Sequence, residues 1–297
     1  MSDNKFFPLV SIVIPTYNYA NYLGRALQSV LDQTYKNWEA IVIDNHSTDH
    51  TSKVVDRYKH PRIKYKKISN QGVIAKSRNA GILAAKGEWV AFLDSDDWWT
   101  SDKLKNCIDY SNNQVDLIYH DLEIVSNKHR FFRQKIIETR QLKKPVLLDL
   151  LLCGNAISNS SVFVRKKMLE KINFIDERKA LVGSEDYNTW LKISNLTDQF
   201  LYLPKKLGYY LIHEQGISQK NMSLSYRIAT NKFLYLLNSE QKIQLEANIK
   251  YLSGRFNYLN LKYKRAKKDL LFVIKYSSLK LKVKSLIMII RILTSFK

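Results

Sequence analysis

Apolar residues fall into short continuous runs that alternate with stretches of helical spacing. Four of these runs predict strands buried on both faces, at residues 9–14, 38–43, 89–93 and 115–119. Asn21 can cap a helix, because the apolar residues that follow it have helical spacing. Residues 73–85 are also predicted to be helical. This alternation predicts an α/β fold with a mostly parallel central sheet and flanking helices.

The second part of the chain is less regular. The segment at residues 120–150 has the least regular pattern and is basic and aromatic at residues 130–133, so we expect a mobile connection there. Apolar runs predict two further strands, at residues 156–164 and 209–213. Beyond residue 216 the composition shifts to Leu, Tyr, Asn and Lys with helical periodicity. We therefore expect a catalytic domain at residues 1–219 and a helical, basic extension at residues 220–297.

Positive charge is concentrated at the carboxyl end. The 297-residue chain has a net charge of +21, and residues 250–297 contain 13 Lys and Arg against one acid, Asp269. Such a segment is typical of proteins that bind lipid headgroups, nucleic acid or phosphorylated substrates. Because no nucleic-acid reader motif accompanies the charge, we expect no nucleic-acid partner.

Two missing features bear on location. The sequence has no apolar run of about 18 residues or more, so we expect no membrane-spanning helix. The start lacks the long apolar core of a secretion signal. Cys107 and Cys153 lack metal-type spacing, as expected for reduced thiols. The predicted location is cytoplasmic and peripheral, at the inner face of the cell membrane.

Three acidic residues follow the third buried strand: Asp94, Asp96 and Asp97. Carboxylates behind a hydrophobic strand are unfavourable unless a cation or hydrogen-bond donors meet them. The carboxyl ends of strands in an open α/β sheet are where ligands bind. The pattern therefore predicts a divalent cation that is held by oxygen ligands and shared with a phosphate.

Several segments resemble, in order and spacing, the motifs of family 2 glycosyltransferases with the GT-A fold. They read VSIVIPTYN at residues 10–18, DNHSTD at 44–49, RNAG at 78–81, FLDSDD at 92–97, SEDY at 184–187, and YYLIH at 209–213 with GIS at 216–218. One motif alone is weak, whereas several in the family's order are specific. The resemblance implies an inverting enzyme of the non-processive bacterial type, because the Gln-x-x-Arg-Trp signature of processive relatives is absent.

The resemblance also implies which residues bind the donor, with a UDP sugar favoured. The positions concerned are Pro15, Thr16, Tyr17, Asn18, Asp44, Asn45, Arg78, Asp94, Ser95 and Asp96. Asp44 would accept a hydrogen bond from the base, and Arg78 would bind phosphate. The acceptor would be a glycan or a lipid-linked glycan in cell-surface polysaccharide assembly.

A metal and a base complete the implied chemistry. Mn²⁺ or Mg²⁺ would be held directly by Asp96, with Asp94 and His213 as further contacts. Asp186 would be the general base, and its neighbour Glu185 would orient the acceptor or the loop.

Other interpretations stay open for these residues. Asn18 and Asp44 are also common turn formers, and acids at 185–186 also complement a helix dipole. An alternative class is a sugar-phosphate nucleotidyltransferase or another nucleotide-binding protein. That alternative enzyme class would require a Gly-rich phosphate loop after the first strand, and the first glycine is Gly24.

The last predicted helix is amphipathic. Over residues 279–296, Val283, Leu286, Ile290 and Leu293 form one face, with Lys and Arg on others. This pattern predicts a helix that lies in the plane of an anionic membrane surface. Packing on the catalytic domain or a contact in a homo-oligomer are the alternatives.

Overall fold

The computed structural model describes residues 7–126, 135–137, 139–213 and 220–294. The strands in this part of the chain are β1 Val10–Thr16, β2 Trp38–Asp44, β3 Ile63–Lys67, β4 Trp89–Phe92, β5 Trp98–Trp99, β6 Leu117–Ser126, β7 Lys135–Ile137, β8 Phe163–Arg165 and β9 Phe200–Ile212. The helices are α1 Ala20–Leu31, α2 Thr51–Arg57, α3 Ile74–Ala84, α4 Lys103–Asp109, α5 Val146–Cys153, α6 Lys166–Lys171, α7 Glu185–Ser194, α8 Ser223–Asn231, α9 Ser239–Leu259, α10 Tyr263–Tyr276 and α11 Leu279–Thr294.

The strands form one sheet in the order β3-β2-β1-β4-β8-β6-β9-β5, with β7 on β6. Strands β3, β2, β1 and β4 are parallel, as the apolar runs predict. Strand β8 is antiparallel to both neighbours, and β9 returns parallel to β6. The predicted α/β class with flanking helices is confirmed. Because β1 and β4 are parallel neighbours, the polar residues after both strands lie at the same edge of the sheet.

The structure differs from the predicted elements in one part of the site. Residues 156–164 are predicted as a strand, but only Phe163–Arg165 is one, and Asn159–Ser161 is a 3-10 turn. The polar Asn-Ser-Ser run suits a turn because its side chains hydrogen-bond to nearby groups. Within residues 120–150, predicted as a mobile connection, residues 120–126 continue β6, residues 135–137 form β7 and residues 146–150 begin α5, where Leu122, Val146 and Leu150 are buried. Residues 130–133 and the motif end at 216–218 lie outside the described residues.

Apolar side chains fill both faces of the sheet. One face packs against α1 and α2, and Trp38 and Trp89 are fully buried there. The other face packs against α3, α5 and α7, and this core continues into α8 and α9 through Tyr226 and Leu245. A small third core joins α10 and α11. The boundary at residue 219 stays a prediction, although α8 and α9 share the main core.

Lys103 is an unusual member of the α1 side of the core. Its side chain is fully buried, and Nζ lies 3.9 Å from the centroid of the Trp99 ring. Among the described residues Nζ has no hydrogen-bond partner. Burial lowers the pKa of Lys103 to about 8. The cation–π contact therefore compensates only part of the desolvation of the ammonium.

We expect Lys103→Met to raise the free energy of unfolding at pH 7. The unfolded state holds the Lys103 proton more tightly, so wild-type stability should rise with pH from about 8 to the ordinary lysine value of 10.5. The Lys103→Met variant has no buried ammonium, so its free energy of unfolding should not rise with pH in this way. At pH 7 it should exceed the wild-type value by about 1–3 kcal/mol. Urea titrations across this pH range measure both effects.

Lys105→Met on the same helix is the matched control, because that side chain is exposed. A Lys103→Met protein less stable than wild type at pH 7, with an unchanged pH slope, would contradict the expectation.

Candidate active site

A cavity of about 510 Å³ opens at the carboxyl edge of β1 and β4. This volume is in the range of small-molecule and cofactor sites. The structure brings most of the predicted site residues to its wall: Pro15, Thr16, Tyr17, Asn45, Arg78, Asp94, Ser95, Asp96, Glu185, Asp186 and His213. Among the described residues, predicted positions Asn18 and Asp44 are not on the wall.

Asn18 and Asp44 fix the turn behind this wall. Asp44 accepts hydrogen bonds from the Ser47 backbone N, at 2.9 Å, and from the Tyr65 hydroxyl. Asn18 has a left-handed backbone with φ of 52°, and its Oδ1 accepts from Thr48 N at 2.8 Å. Both side chains therefore make the contacts that the turn-forming interpretation predicts. A contact from Asp44 to a base stays a prediction.

Thr16 lies at the end of β1 on the cavity wall. Its Oγ1 is buried and has no hydrogen-bond partner among the described residues. A buried hydroxyl without a partner is unfavourable, so a ligand group that bonds to it would stabilise the site. Nearby, Asn45 Oδ1 accepts from Asn70 N at 2.7 Å, which fixes a second wall residue.

A buried arginine joins the two acidic sides of the cavity. Arg78 on α3 donates from Nη2 to Asp94 Oδ1 at 2.9 Å and from Nη1 to Glu185 Oε1 at 2.7 Å. Burial alone would lower the pKa of Arg78, but Asp94 and Glu185 outweigh it and hold the pKa above its usual value. The two Nη groups are thus engaged with carboxylates, where the sequence predicted a contact to phosphate.

Two residues of the turn before β8 support the acidic loop, and the sequence analysis did not identify them. Asn159 donates to Asp94 Oδ1 at 3.0 Å, and Ser160 Oγ donates to Asp97 Oδ2 at 2.6 Å. Asp97 is fully buried and also accepts from Leu211 N at 3.1 Å, so it ties the loop to β9. The polar run 158–161 inside an apolar stretch was the only signal for these roles.

Asp96 faces His213, which follows β9. Asp96 Oδ2 lies 2.8 Å from His213 Nε2, and His213 Nδ1 is buried with no partner among the described residues. Burial and the neighbouring Asp94 raise the pKa of Asp96, and His213 only partly opposes this. Asp94 is paired with Arg78, whereas no described Lys or Arg side chain forms a salt bridge with Asp96. The carboxylate oxygens of Asp96 therefore suit Mn²⁺ or Mg²⁺.

The described residues contain no group of three His, Cys, Asp or Glu placed to enclose an ion. An ion beside Asp96 and His213 would therefore need further oxygen ligands from a bound phosphate or from water. This arrangement fits a cation that arrives with a phosphorylated ligand.

Asp186 and Glu185 begin α7 and differ in their surroundings. Both Glu185 oxygens are engaged, Oε1 by Arg78 and Oε2 by Gly183 N at 2.6 Å. Asp186 accepts from Tyr187 N at 2.6 Å, and its second oxygen has no protein hydrogen bond in the described chain. Burial and the charge of Glu185 raise the pKa of Asp186 to about 7. A carboxylate with this pKa on a cavity wall is suited to act as a general base.

The fold is an α/β sheet of the GT-A type, with an acidic site at the carboxyl edge of its parallel strands. The model for "Glycosyl transferase family 2" matches residues 11–172, and the chain belongs to that family. Membership of this family favours a glycosyltransferase over the alternative class, a sugar-phosphate nucleotidyltransferase.

Relatives extend over most of the chain. An uncharacterized glycosyltransferase of Nostoc sp. is 28% identical over 282 residues, covering 88% of this chain and 84% of its own. The Escherichia coli protein WfgD, a UDP-Glc:alpha-D-GlcNAc-diphosphoundecaprenol beta-1,3-glucosyltransferase, is 34% identical over 190 residues, covering 62% of this chain and 69% of its own.

Solved structures share the fold at low sequence identity. TarS 1-349 of S. aureus in complex with UDP-GlcNAc has a TM-score of 0.66 at 22% identity, covering 92% of this chain and 83% of its own. The mannosyltransferase PcManGT of Pyrobaculum calidifontis, in complex with GDP-Man and Mn²⁺, has a TM-score of 0.60 at 16% identity, covering 94% and 78%.

We expect Arg78→Met to destabilise the protein by about 3–5 kcal/mol, because it leaves the buried Glu185 and the partly buried Asp94 without a counter-charge. Arg78→Lys should recover part of this loss, since an ammonium restores the charge but does not reproduce the fork. Urea unfolding at pH 7 measures both variants.

Arg178→Met is the matched control, since Arg178 is half-exposed and pairs with the nearby Asp176. Equal stability of the Arg78→Met and Arg178→Met proteins would show that the buried bridge does not stabilise the fold.

Proposed function

We propose that this glycosyltransferase moves one sugar from a UDP sugar to a hydroxyl of a lipid-linked glycan, with inversion, in cell-surface polysaccharide assembly. The observation that carries the proposal is the position of Asp186, with a pKa near 7, on the same cavity as the Asp94, Asp96 and His213 group. The named donors and acceptors of WfgD and the similar WfaP support the substrate class. The UDP and UDP-GlcNAc complexes of TarS support the nucleotide.

The donor would lie across the carboxyl edge of the parallel strands. Thr16 Oγ1, on this wall, has no hydrogen-bond partner among the described residues, and Tyr17 beside it is half-exposed. We assign the nucleoside to this part of the cavity, with the turn at Asp44 and Asn45 behind it. The diphosphate would then extend toward Asp94 and Asp96.

Asp96 would hold a Mn²⁺ or Mg²⁺ ion directly, with Asp94 and His213 as further contacts and with oxygens of the phosphate or of water as the remaining ligands. When bound, the ion would supply positive charge to the departing nucleoside diphosphate. The Mn²⁺ in the PcManGT complex supports this choice of ion. Because Asp94 already accepts from Arg78 and Asn159, Asp96 is the less engaged carboxylate and the preferred direct ligand.

Asp186 would take the proton of the acceptor hydroxyl as that oxygen attacks the anomeric carbon. The new carbon–oxygen bond forms as the bond to the diphosphate breaks, and the electron pair leaves with the nucleotide. Attack from the side opposite the diphosphate inverts the anomeric centre in one step. Glu185 would act as a positioning residue, since its two oxygens already hold Arg78 and the Gly183 loop.

The place of action is proposed as the cytoplasmic face of the membrane, where a lipid-linked acceptor would be available. No helix within the described ranges is both long and apolar enough to cross a bilayer. We propose that the enzyme reaches a lipid-linked acceptor by peripheral binding, through the surface of α11 described below.

Asp96→Ala should weaken UDP binding in the presence of Mn²⁺ by at least about tenfold, since it removes the preferred metal ligand. Calorimetric titrations of UDP with Mn²⁺ and with EDTA measure the effect. The variant should bind UDP equally weakly in both buffers. Wild-type affinity for UDP with Mn²⁺ in the Asp96→Ala protein would overturn the ligand assignment.

Asp186→Asn should lower kcat by about 10²–10⁴-fold and leave UDP affinity unchanged, because the amide cannot accept the acceptor proton. In the wild type, kcat should rise with pH through about 7, as Asp186 loses its proton. UDP release from a panel of UDP sugars, with a GlcNAc-diphospholipid acceptor, measures kcat and its pH dependence. Calorimetric titration measures the UDP affinity.

Asp109→Asn is the control, since that carboxylate is exposed on α4. Near-normal turnover by Asp186→Asn, with the pH dependence retained, would remove Asp186 as the base.

A further inference from the structure

We propose that the outer face of α11 binds the surface of an anionic lipid bilayer. We call this surface the α11 outer face and define it by six apolar side chains: Leu279, Val283, Leu286, Ile287, Ile290 and Leu293. The inference rests on the proposed function, in which the acceptor is lipid-linked, and it names the surface that would bring the enzyme to that acceptor.

Helix α11 has two apolar faces, and only one of them is covered. Met288, Ile289 and Ile292 are buried in the small core shared with α10. The side chains of the α11 outer face are instead 46–77% exposed. The helix is thus held on the protein by one face and presents the other outward. The sequence placed membrane binding and packing as alternatives, and this geometry is compatible with both together.

Clustered exposure of this kind requires an explanation. Single exposed apolar residues are ordinary on protein surfaces, whereas a contiguous group with a charged border marks an interaction site. The α11 outer face is aliphatic throughout and contains no hydrogen-bonding group. Such a surface lacks the polar and aromatic groups that anchor protein partners, and it suits insertion among acyl chains.

The charge around this face has one sign. Helix α11 contains Lys280, Lys282, Lys284 and Arg291 and no acid. None of its three lysines forms a salt bridge with a described residue. Asp269, the one acid after residue 249, is already bound by Ser253 Oγ at 2.7 Å and lies 3.6 Å from Lys250. Partial burial and the nearby Lys280 and Arg255 lower the pKa of Lys284. Among the described residues, the three lysines of α11 therefore have no acidic partner.

Charge also argues against a second copy as the occupant. A symmetric dimer would bring two identical α11 outer faces together, and each would bring its own lysines. Like charges at a desolvated contact oppose association. Anionic headgroups would instead pair with the lysines while the aliphatic side chains enter the acyl region. The observations therefore favour a lipid surface over self-association.

Vesicle flotation with the full chain tests the inference. Vesicles of phosphatidylcholine with about one-third phosphatidylglycerol should carry the wild type upward, and pure phosphatidylcholine should carry much less. Leu286→Gln with Ile290→Gln should reduce the bound fraction at least about tenfold. Lys280→Glu with Lys284→Glu should do the same and also remove the salt dependence.

Leu83→Gln with Leu196→Gln is the matched control, because both leucines are exposed outside α11. This control should float like the wild type. Binding that is equal in all variants would overturn the inference. A wild-type dimer in light scattering that dissociates in the Leu286→Gln, Ile290→Gln variant, without vesicle binding, would assign the α11 outer face to self-association instead.

A parallel assay separates this inference from the proposed function. UDP release with a water-soluble acceptor should be the same in the wild type and the α11 variants, since no α11 residue lines the cavity. Transfer without vesicle binding would refute only the lipid surface. Vesicle binding without transfer from any UDP sugar would refute the proposed function and leave the lipid surface standing.

Discussion

The guanidinium of Arg78 is the group on which the arrangement of the site depends. It is almost fully buried, and it bonds at once to Asp94 at the sheet edge and to Glu185 at the start of α7. A buried charge is tolerated only when it is paired, so the three groups must stay together in the folded state. This requirement fixes how far the proposed donor side lies from Asp186, the proposed base. The bridge therefore sets the geometry in which one cavity could bind a nucleotide sugar and accept a proton.

The same cavity contrasts in charge with the rest of the chain. The protein has a net charge of +21, yet Asp94, Asp96, Glu185 and Asp186 line one wall region with one arginine among them. Their proximity in a buried setting raises the pKa of Asp96 and of Asp186. On the sheet side, this excess of negative charge favours a cation that comes with the diphosphate. At α7, the pKa of Asp186 is raised to near neutral pH, which suits its proposed role as the base. One electrostatic condition thus supports both proposed roles.

Local sequence patterns predicted the parts of the fold that depend on burial. Continuous apolar runs correspond to β1, β2 and β4, because strands covered on both faces exclude polar side chains. Most of the site residues that the motifs predicted lie on the cavity wall. The strand prediction was wrong at residues 156–164, because apolar residues on both sides of a short polar run resemble a strand. The polar run forms the turn that holds Asp94 and Asp97.

Contacts between distant residues were beyond reach of the same reasoning. Arg78 and Glu185 are 107 positions apart, and nothing in the periodicity of α3 or α7 indicates that they meet. For the same reason, the sequence assigned Arg78 to phosphate, since an unpaired arginine in a nucleotide site is the simplest expectation. In α11 the periodicity found the exposed apolar face but not the buried one, because two apolar faces on one helix blur the helical pattern.

The most direct test of the central claim is a crystal structure of the wild-type chain with UDP and Mn²⁺. The diphosphate should lie at the carboxyl edge of β1 and β4, with Mn²⁺ bonded to Asp96 and to phosphate oxygens and with Arg78 still joining Asp94 and Glu185. UDP bound away from Asp94, Asp96 and His213, or at this edge with no metal between Asp96 and the phosphates, would contradict it.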